Sequence, residues 1–156
     1  KATVYTTDGS NPQTSSTAQL YAGPFTIPQT TTVKYDSIDN AGNVGSVQSQ
    51  TIQIDAAPPT VSITSPANGS SFSQGTKVTV TASATDLGTG SGAPSGIASV
   101  TFYLDGITKL ATVAKAPYSF TWNTSGVKKG THTLTAVATD VAGNSATSTA
   151  ITVSIK

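Results

Sequence analysis

The chain has 156 residues, 29 of them Thr and 20 Ser, with no Cys, Met, Arg or Glu; eight Lys and seven Asp leave a net charge of +1. The missing helix formers Glu, Arg and Met count against a helical fold, and the lack of Arg and of any basic run counts against nucleic-acid binding. No stretch approaches the roughly 18 to 20 apolar residues that span a bilayer, and without Cys there is no disulfide, thiolate nucleophile or Cys-type zinc site. The apolar residues are mostly Val, Ile and Ala interleaved with Thr, the composition of half-buried strands, so an all-β fold is expected. The hydroxyl-rich, weakly charged composition has an extracellular character.

In chain order, residues 1–55 carry five strand patterns: Thr3 to Thr7, Leu20 to Ala22, Phe25 to Ile27, Thr32 to Ile38 and Gln50 to Ile54. After the fourth comes Asp39-Asn40-Ala41-Gly42-Asn43, echoed a hundred residues later as Asp140-Val141-Ala142-Gly143-Asn144. Each copy lies between two alternating runs and reads as a hairpin turn, Gly supplying a positive φ while Asp and Asn bond locally. Two copies point to two similar domains, each ending in this hairpin. Residues 56–59, Ala-Ala-Pro-Pro, form a semi-rigid linker, so an extended rod is expected.

Residues 60–156 show seven alternating strands: Val61 and Ile63; Val78 to Ala84; Val100 to Leu104; Leu110 to Ala114; Tyr118 to Trp122; Leu134 to Ala138; and Ile151 to Ile155. Seven period-two strands in about a hundred residues indicate an antiparallel sandwich. Aligned backwards from the shared hairpin, the first domain lacks two opening strands. The chain is therefore expected to begin inside a domain, completed either by upstream residues of a longer protein or by a strand donated from a neighbouring subunit, which would build a filament.

Val4-Tyr5-Thr6-Thr7-Asp8-Gly9-Ser10-Asn11-Pro12, Tyr21-Ala22-Gly23-Pro24-Phe25, Thr31-Thr32-Val33-Lys34-Tyr35 and Asp39-Asn40-Ala41-Gly42-Asn43 resemble the chitobiase/β-hexosaminidase C-terminal type of Ig-like module. Ser65-Pro66-Ala67-Asn68-Gly69, Val100 to Gly106, Trp122-Asn123-Thr124, Gly130 to Leu134 and Ala138-Thr139-Asp140 are similar to bacterial Ig-like domains. The resemblance implies two tandem Ig-like antiparallel β-sandwiches, the first lacking its N-terminal strands, in a secreted or surface-attached bacterial protein. It implies no catalytic residue. Three roles follow as expectations: a structural stalk, spacer or adhesion module; a carbohydrate-binding accessory module of a secreted glycoside hydrolase; or a fibre subunit. Other domains of the polypeptide, neighbouring subunits or a glycan are the expected partners.

The single His, His132, shares the parity of Leu134 and Ala136 and reads as a packed or edge residue. The seven Asp show no spacing that marks a glycosidase pair, and Asp8, Asp39, Asp86, Asp105 and Asp140 lie at turn positions. Loop counting in a sandwich gathers Asp8, Asp55, Asp86 and Asp140, with Asn144, near one interdomain junction, an oxygen set suited to Ca²⁺. The alternative is that each Asp satisfies its own turn. Tyr118, Phe120 and Trp122 share a core parity, whereas Tyr103, Tyr5, Tyr21 and Tyr35 are the rings available for a glycan. The Gly-rich stretch Asp86 to Gly96 reads as an inserted loop or a partner-contacting tip. Asn68 and Asn123 begin glycosylation sequons.

Overall fold

In the computed structural model residues 1–88 and 92–156 are described. The chain divides into two units, the first built on Lys1–Asp55 and the second on Ala56–Thr89 with Pro94–Lys156.

The first unit holds one antiparallel sheet. Its strands are β1 (Ala2–Thr6), β2 (Gln19–Leu20), β3 (Thr31–Ile38) and β4 (Gln48–Ile52), in spatial order β2-β1-β3-β4. Side chains alternate across it. Val4, Thr6 and Asp36 share one face, since Val4 lies opposite Asp36 and Thr6 opposite Lys34. The loop from residue 7 to 18 closes over that face: the Thr6 hydroxyl donates to the Ser10 carbonyl, Pro12 is buried, and the Gln13 amide reaches the Gly45 carbonyl. Tyr5, Val33 and Tyr35 share the other face. The strand expected at Phe25 to Ile27 is not formed. Pro24 and Pro28 remove two N–H donors there, and Phe25 instead stacks on Tyr5 with ring centroids 4.5 Å apart.

The second unit contains β5 (Thr60–Ser65), β6 (Ser70–Phe72), β7 (Lys77–Thr85), β8 (Ile97–Leu104), β9 (Thr108–Val113), β10 (Tyr118–Asn123), β11 (Gly130–Asp140), β12 (Ser145–Thr147) and β13 (Ile151–Ile155). One sheet runs β10-β7-β5 and the other β6-β13-β11-β8-β9, with β12 also on β11. All seven strands read from alternation are present. Two short ones were not legible. β6 is a three-residue strand pairing in parallel with β13, Val153 opposite Ser70 and Ile155 opposite Phe72, so the ladders are not wholly antiparallel. The alternating run expected after the second hairpin turn is broken at Ser148 into β12 and β13. There the Ser148 N–H donates to the Ala136 carbonyl at 2.8 Å, and its hydroxyl accepts the Ala136 N–H at 3.0 Å.

The core lies between these sheets. Val78, Val80 and Ala82 of β7 and Trp122 of β10 pack with Val100, Phe102 and Leu104 of β8, Leu134, Ala136 and Ala138 of β11, and Val153 and Ile155 of β13. On the outward faces hydroxyls pair across strands: Thr101 with Thr112 at 2.9 Å, Thr139 with Ser145 at 2.9 Å and Thr60 with Thr85 at 2.7 Å. Such pairs contribute a few tenths of a kcal/mol each. The Thr-rich composition is in part the sum of these rungs.

Asp36 is the exception to this polar satisfaction. It is 2% exposed, and neither carboxylate oxygen has a hydrogen-bond partner among the described residues. Burying such a group without a partner costs about 1 to 3 kcal/mol. Asp36→Val, a β-branched replacement on the face that carries Val4, is therefore expected to stabilise the first unit by about 1 to 3 kcal/mol. Chemical denaturation followed by tyrosine fluorescence checks this; a lowered midpoint would show that the carboxylate has a compensating partner.

Candidate functional site

The two echoed pentapeptides fold into the same turn. In the first unit the Asp39 N–H donates to the Asn43 carbonyl at 3.0 Å and the Gly42 N–H to the Asp39 carbonyl at 3.2 Å. Asp39 Oδ1 accepts the Asn43 N–H at 2.9 Å and Oδ2 the Asn43 amide at 2.8 Å. In the second unit Asp140 and Asn144 repeat all four bonds, at 3.0, 3.3, 2.8 and 2.8 Å. Gly42 and Gly143 sit at φ 86° and 96°, a region that L side chains avoid. Each turn is closed by its own carboxylate. Asn43 holds the Asp39 carboxyl below its ordinary pKa, by its amide first and its backbone N–H second.

The residues proposed from the sequence as calcium ligands occupy several such turns. Asp8 is exposed and bonded within its own loop; the Ser10 hydroxyl, then the Thr17 hydroxyl at 2.6 Å, then the Ser10 N–H lower its pKa to about 2. Asp55 is half-buried at the end of the first unit. Within the second unit Asp86 and Asp140 bring carboxylate oxygens within 4.8 Å of each other. Asp86 Oδ2 accepts the Gly96 N–H at 2.7 Å, tying the two ends of the Gly-rich loop together. The Gly96 carbonyl in turn accepts the Val141 N–H at 2.9 Å. Thr89, Gly90 and Ser91 of that loop lie outside the described residues. Asn68, in the first sequon, accepts the Thr152 N–H and hydroxyl, both at 2.8 Å, through Oδ1.

At the opposite end of the second unit lies a pair that the sequence did not announce. Asp105 and Gly106, at φ 52° and 73°, are the two positive-φ residues of the β8–β9 hairpin turn. The turn is closed by the Ile107 N–H on the Leu104 carbonyl at 3.3 Å. Asp105 Oδ1 accepts the Thr133 N–H at 2.9 Å, and Oδ2 lies 2.7 Å from Nδ1 of His132. His132 Nε2 is 2.8 Å from the Lys128 carbonyl. Both ring nitrogens thus face acceptors, an arrangement that only the doubly protonated imidazolium satisfies. The pair sits on a cleft of about 530 Å³ that also reaches Trp122, Val127 and Lys109.

A second cleft, of about 270 Å³, opens on the first unit's uncovered sheet face and is lined by Thr3, Tyr5, Tyr21, Phe25, Val33 and Tyr35. Tyr21 stands edge-on to the Tyr5–Phe25 stack, 6.4 Å from each ring. Tyr103, expected to be exposed, is half-buried in the second unit; Trp122 is buried, with Tyr118 and Phe120 packed against the core, as their parity indicated.

The bacterial Ig domain model matches residues 59–136. The chain belongs to the bacterial Ig domain family. Residues 1–51 match the chitobiase/beta-hexosaminidase C-terminal domain. Among solved structures, the fibronectin(III)-like modules of Clostridium thermocellum CbhA are similar at 27% identity and a TM-score of 0.50, over 62% of this chain and 96% of that one. No curated protein matches the chain. These are Ig- and fibronectin-type modules, in accord with the sandwich of the second unit.

In the bacterial Ig domain, sequence reasoning placed Asp105 in a turn and His132 on a strand edge but missed their contact. Twenty-seven positions separate them, and only the β8–β11 register brings them together. The Asp105 hydrogen bond, and after it the Lys128 carbonyl, raise the His132 pKa. Burial pushes Asp105 up, but His132 and the Thr133 N–H outweigh it and hold the carboxyl below its ordinary value. The His132 contribution is complete below the unfolded-state value of about 6.5 and disappears as pH rises through the raised native value. The Asp105 contribution is present above about 3.9 and disappears as pH falls through the lowered native value. Stability from the pair therefore peaks between these limits. Asp105 is 44% exposed, so solvent screening keeps the pair's worth to about 0.2 to 1 kcal/mol. His132→Ala is expected to lose that amount near pH 5.5 and much less above pH 8, as read by thermal melts across pH; an equal loss at both would contradict the charged pair.

Proposed function

We propose that the chain is a non-catalytic stalk or spacer of a secreted or surface-attached bacterial protein, working through its mechanical continuity. The observation that carries this is where the second unit's two ends lie. Thr60, at the start of β5, faces Thr85 at the end of β7, beside Asp86 and Asp140. Ile155, at the end of β13, faces Gly130 at the start of β11, the end that also holds Asp105 and His132. Thr60 and Ile155 therefore lie at opposite ends of the sandwich, a geometry suited to carrying tension along its strands.

Tension applied at those two ends acts along the strands. β13 is held on both sides, by β11 through five residue pairs and by β6 through three. The residue that follows it is fastened further, the Lys156 N–H donating to the Phe72 carbonyl at 2.9 Å and the Gln74 N–H to the Lys156 carbonyl at 3.0 Å. Pulling loads these bonds together instead of opening them one at a time. The secreted setting rests on the families matched and on the hydroxyl-rich outer faces. No helix among the described residues is long and apolar enough to cross a membrane.

Stretching the full chain by its two ends in a single-molecule instrument tests the reading. The second unit is expected to give way in one rupture that releases about 30 nm of chain, the extended length of its strands and loops less the folded length. Gradual extension without a force peak would remove the mechanical role.

A further inference from the structure

We infer that the uncovered face of the first unit's sheet is a binding site for neutral saccharides, a site that goes beyond the spacer role. The face is set by register. Tyr5 of β1 lies opposite Tyr35 of β3 and opposite Gln19 of β2, while Gln48 and Gln50 of β4 lie opposite Tyr35 and Val33. Period-two alternation therefore puts these rings and three side-chain amides on one surface. Phe25 and Tyr21, from the segment that the prolines keep out of the ladder, lean onto it.

Two occupants compete for such a surface, a covering layer of protein or a ligand. A face built to be covered by protein is lined with aliphatic side chains, as in the second unit, where Val80, Val100, Leu134 and Ala136 are at most 1% exposed. Among the described residues the first unit buries two apolar side chains, Val33 on this face and Pro12 in the loop over the other. Three of its four rings stay in solvent, Tyr21 at 48%, Phe25 at 42% and Tyr35 at 40% exposed, while Tyr5 is half-buried against Phe25; Gln19, Gln48 and Gln50 are exposed beside them. Rings alternating with amides fit poorly against another sheet.

They fit a pyranose. A sugar ring offers an apolar C–H face and a rim of hydroxyls; the first stacks on an aromatic ring, and the second needs donors and acceptors at its edge. Each amide has four hydrogen-bonding positions. Gln19 uses Oε1 to accept the Tyr5 hydroxyl at 3.0 Å, and Gln48 and Gln50 donate through Nε2 to Ser46 and Thr51, so capacity remains on all three. The cleft of about 270 Å³ lies just under the range of roughly 300 Å³ upward that drug-sized ligands occupy. It accommodates one sugar ring of a chain whose neighbours lie along the open face. No Lys or Asp is among the face residues, as Lys34 and Asp36 alternate to the other side. Uronates and sulfated sugars therefore find no counter-ion, and neutral sugars are favoured.

Calorimetric titration of the full chain with cellohexaose, xylohexaose and chitohexaose, beside hexagalacturonate, tests this. Saturable binding of at least one neutral hexasaccharide at millimolar concentration or below is expected, insensitive to added salt. Tyr21→Ala and Tyr35→Ala are each expected to weaken it about three- to tenfold, the worth of one stacked ring. Gln48→Ala, an exposed site that leaves the rings in place, is expected to weaken it severalfold and provides the test should a ring variant fail to fold. The inference is overturned if no neutral hexasaccharide binds, if hexagalacturonate binds as well as they do, or if binding survives all three substitutions. It is also overturned if sedimentation shows a second copy held through this face. None of these results bears on the force peak of the second unit.

Discussion

The second unit depends on β11. Its eleven residues alternate without a lapse from Leu134 to Asp140, the inward side chains Leu134, Ala136, Ala138 and Asp140 all being at most 2% exposed. It is bonded to β8 along one edge and to β12 and β13 along the other. Fixing so many backbone groups at once concentrates the enthalpy of three ladders on one segment, while the small Ala136, directly opposite Phe102 of β8, leaves room for that ring. A slip of one residue would turn Leu134 outward and Thr133 and Thr135 into the core, so burial enforces the register.

Both ends of that strand are fastened by carboxylates acting on backbone. At one end Asp140 binds the Asn144 N–H and amide; at the other Asp105 reaches across from the β8–β9 turn to the Thr133 N–H and the His132 ring. With seven Asp in the whole chain, their concentration at turns is economical. Each short side chain satisfies donors that a turn leaves unpaired, and the strands are left to Thr, Val and Ala. The first unit uses the same device at Asp8 and Asp39 but lacks the two-layered core. It has one sheet, with the polar loop from residue 7 to 18 folded on one face and rings with amides on the other. Turn chemistry and ring stacking carry more of its stability, and aliphatic burial less.

Alternation made the seven long strands of the second unit legible, since a half-buried strand writes its burial into the sequence at period two. β6 escaped because three residues cannot display a period and because pairing with a distant edge, Ser70 with Val153 for instance, leaves no local signal; β12, the far side of the second hairpin, is too short to stand apart from the run expected there. Phe25 to Ile27 misled for the opposite reason: apolar residues in strand-like order are flanked by prolines that cannot join a ladder. The Asp-x-Ala-Gly-Asn turns could be read in full, because their bonds are all made within five residues. The His132–Asp105 pair and the ring-and-amide face could not, as both are products of register between strands far apart in sequence. Gln48 and Gln50 looked like ordinary surface residues until β4 was laid beside β3.

Native-state hydrogen exchange tests the primacy of β11 most directly. Amides that open only when the whole unit unfolds report the global free energy, whereas those of independently fraying segments exchange sooner. The N–H groups of Leu134, Ala136 and Ala138 are predicted to exchange last in the second unit, all with one free energy equal to that of global unfolding. Exchange of these three ahead of β7 or β8, or with free energies that differ among them, would contradict the account.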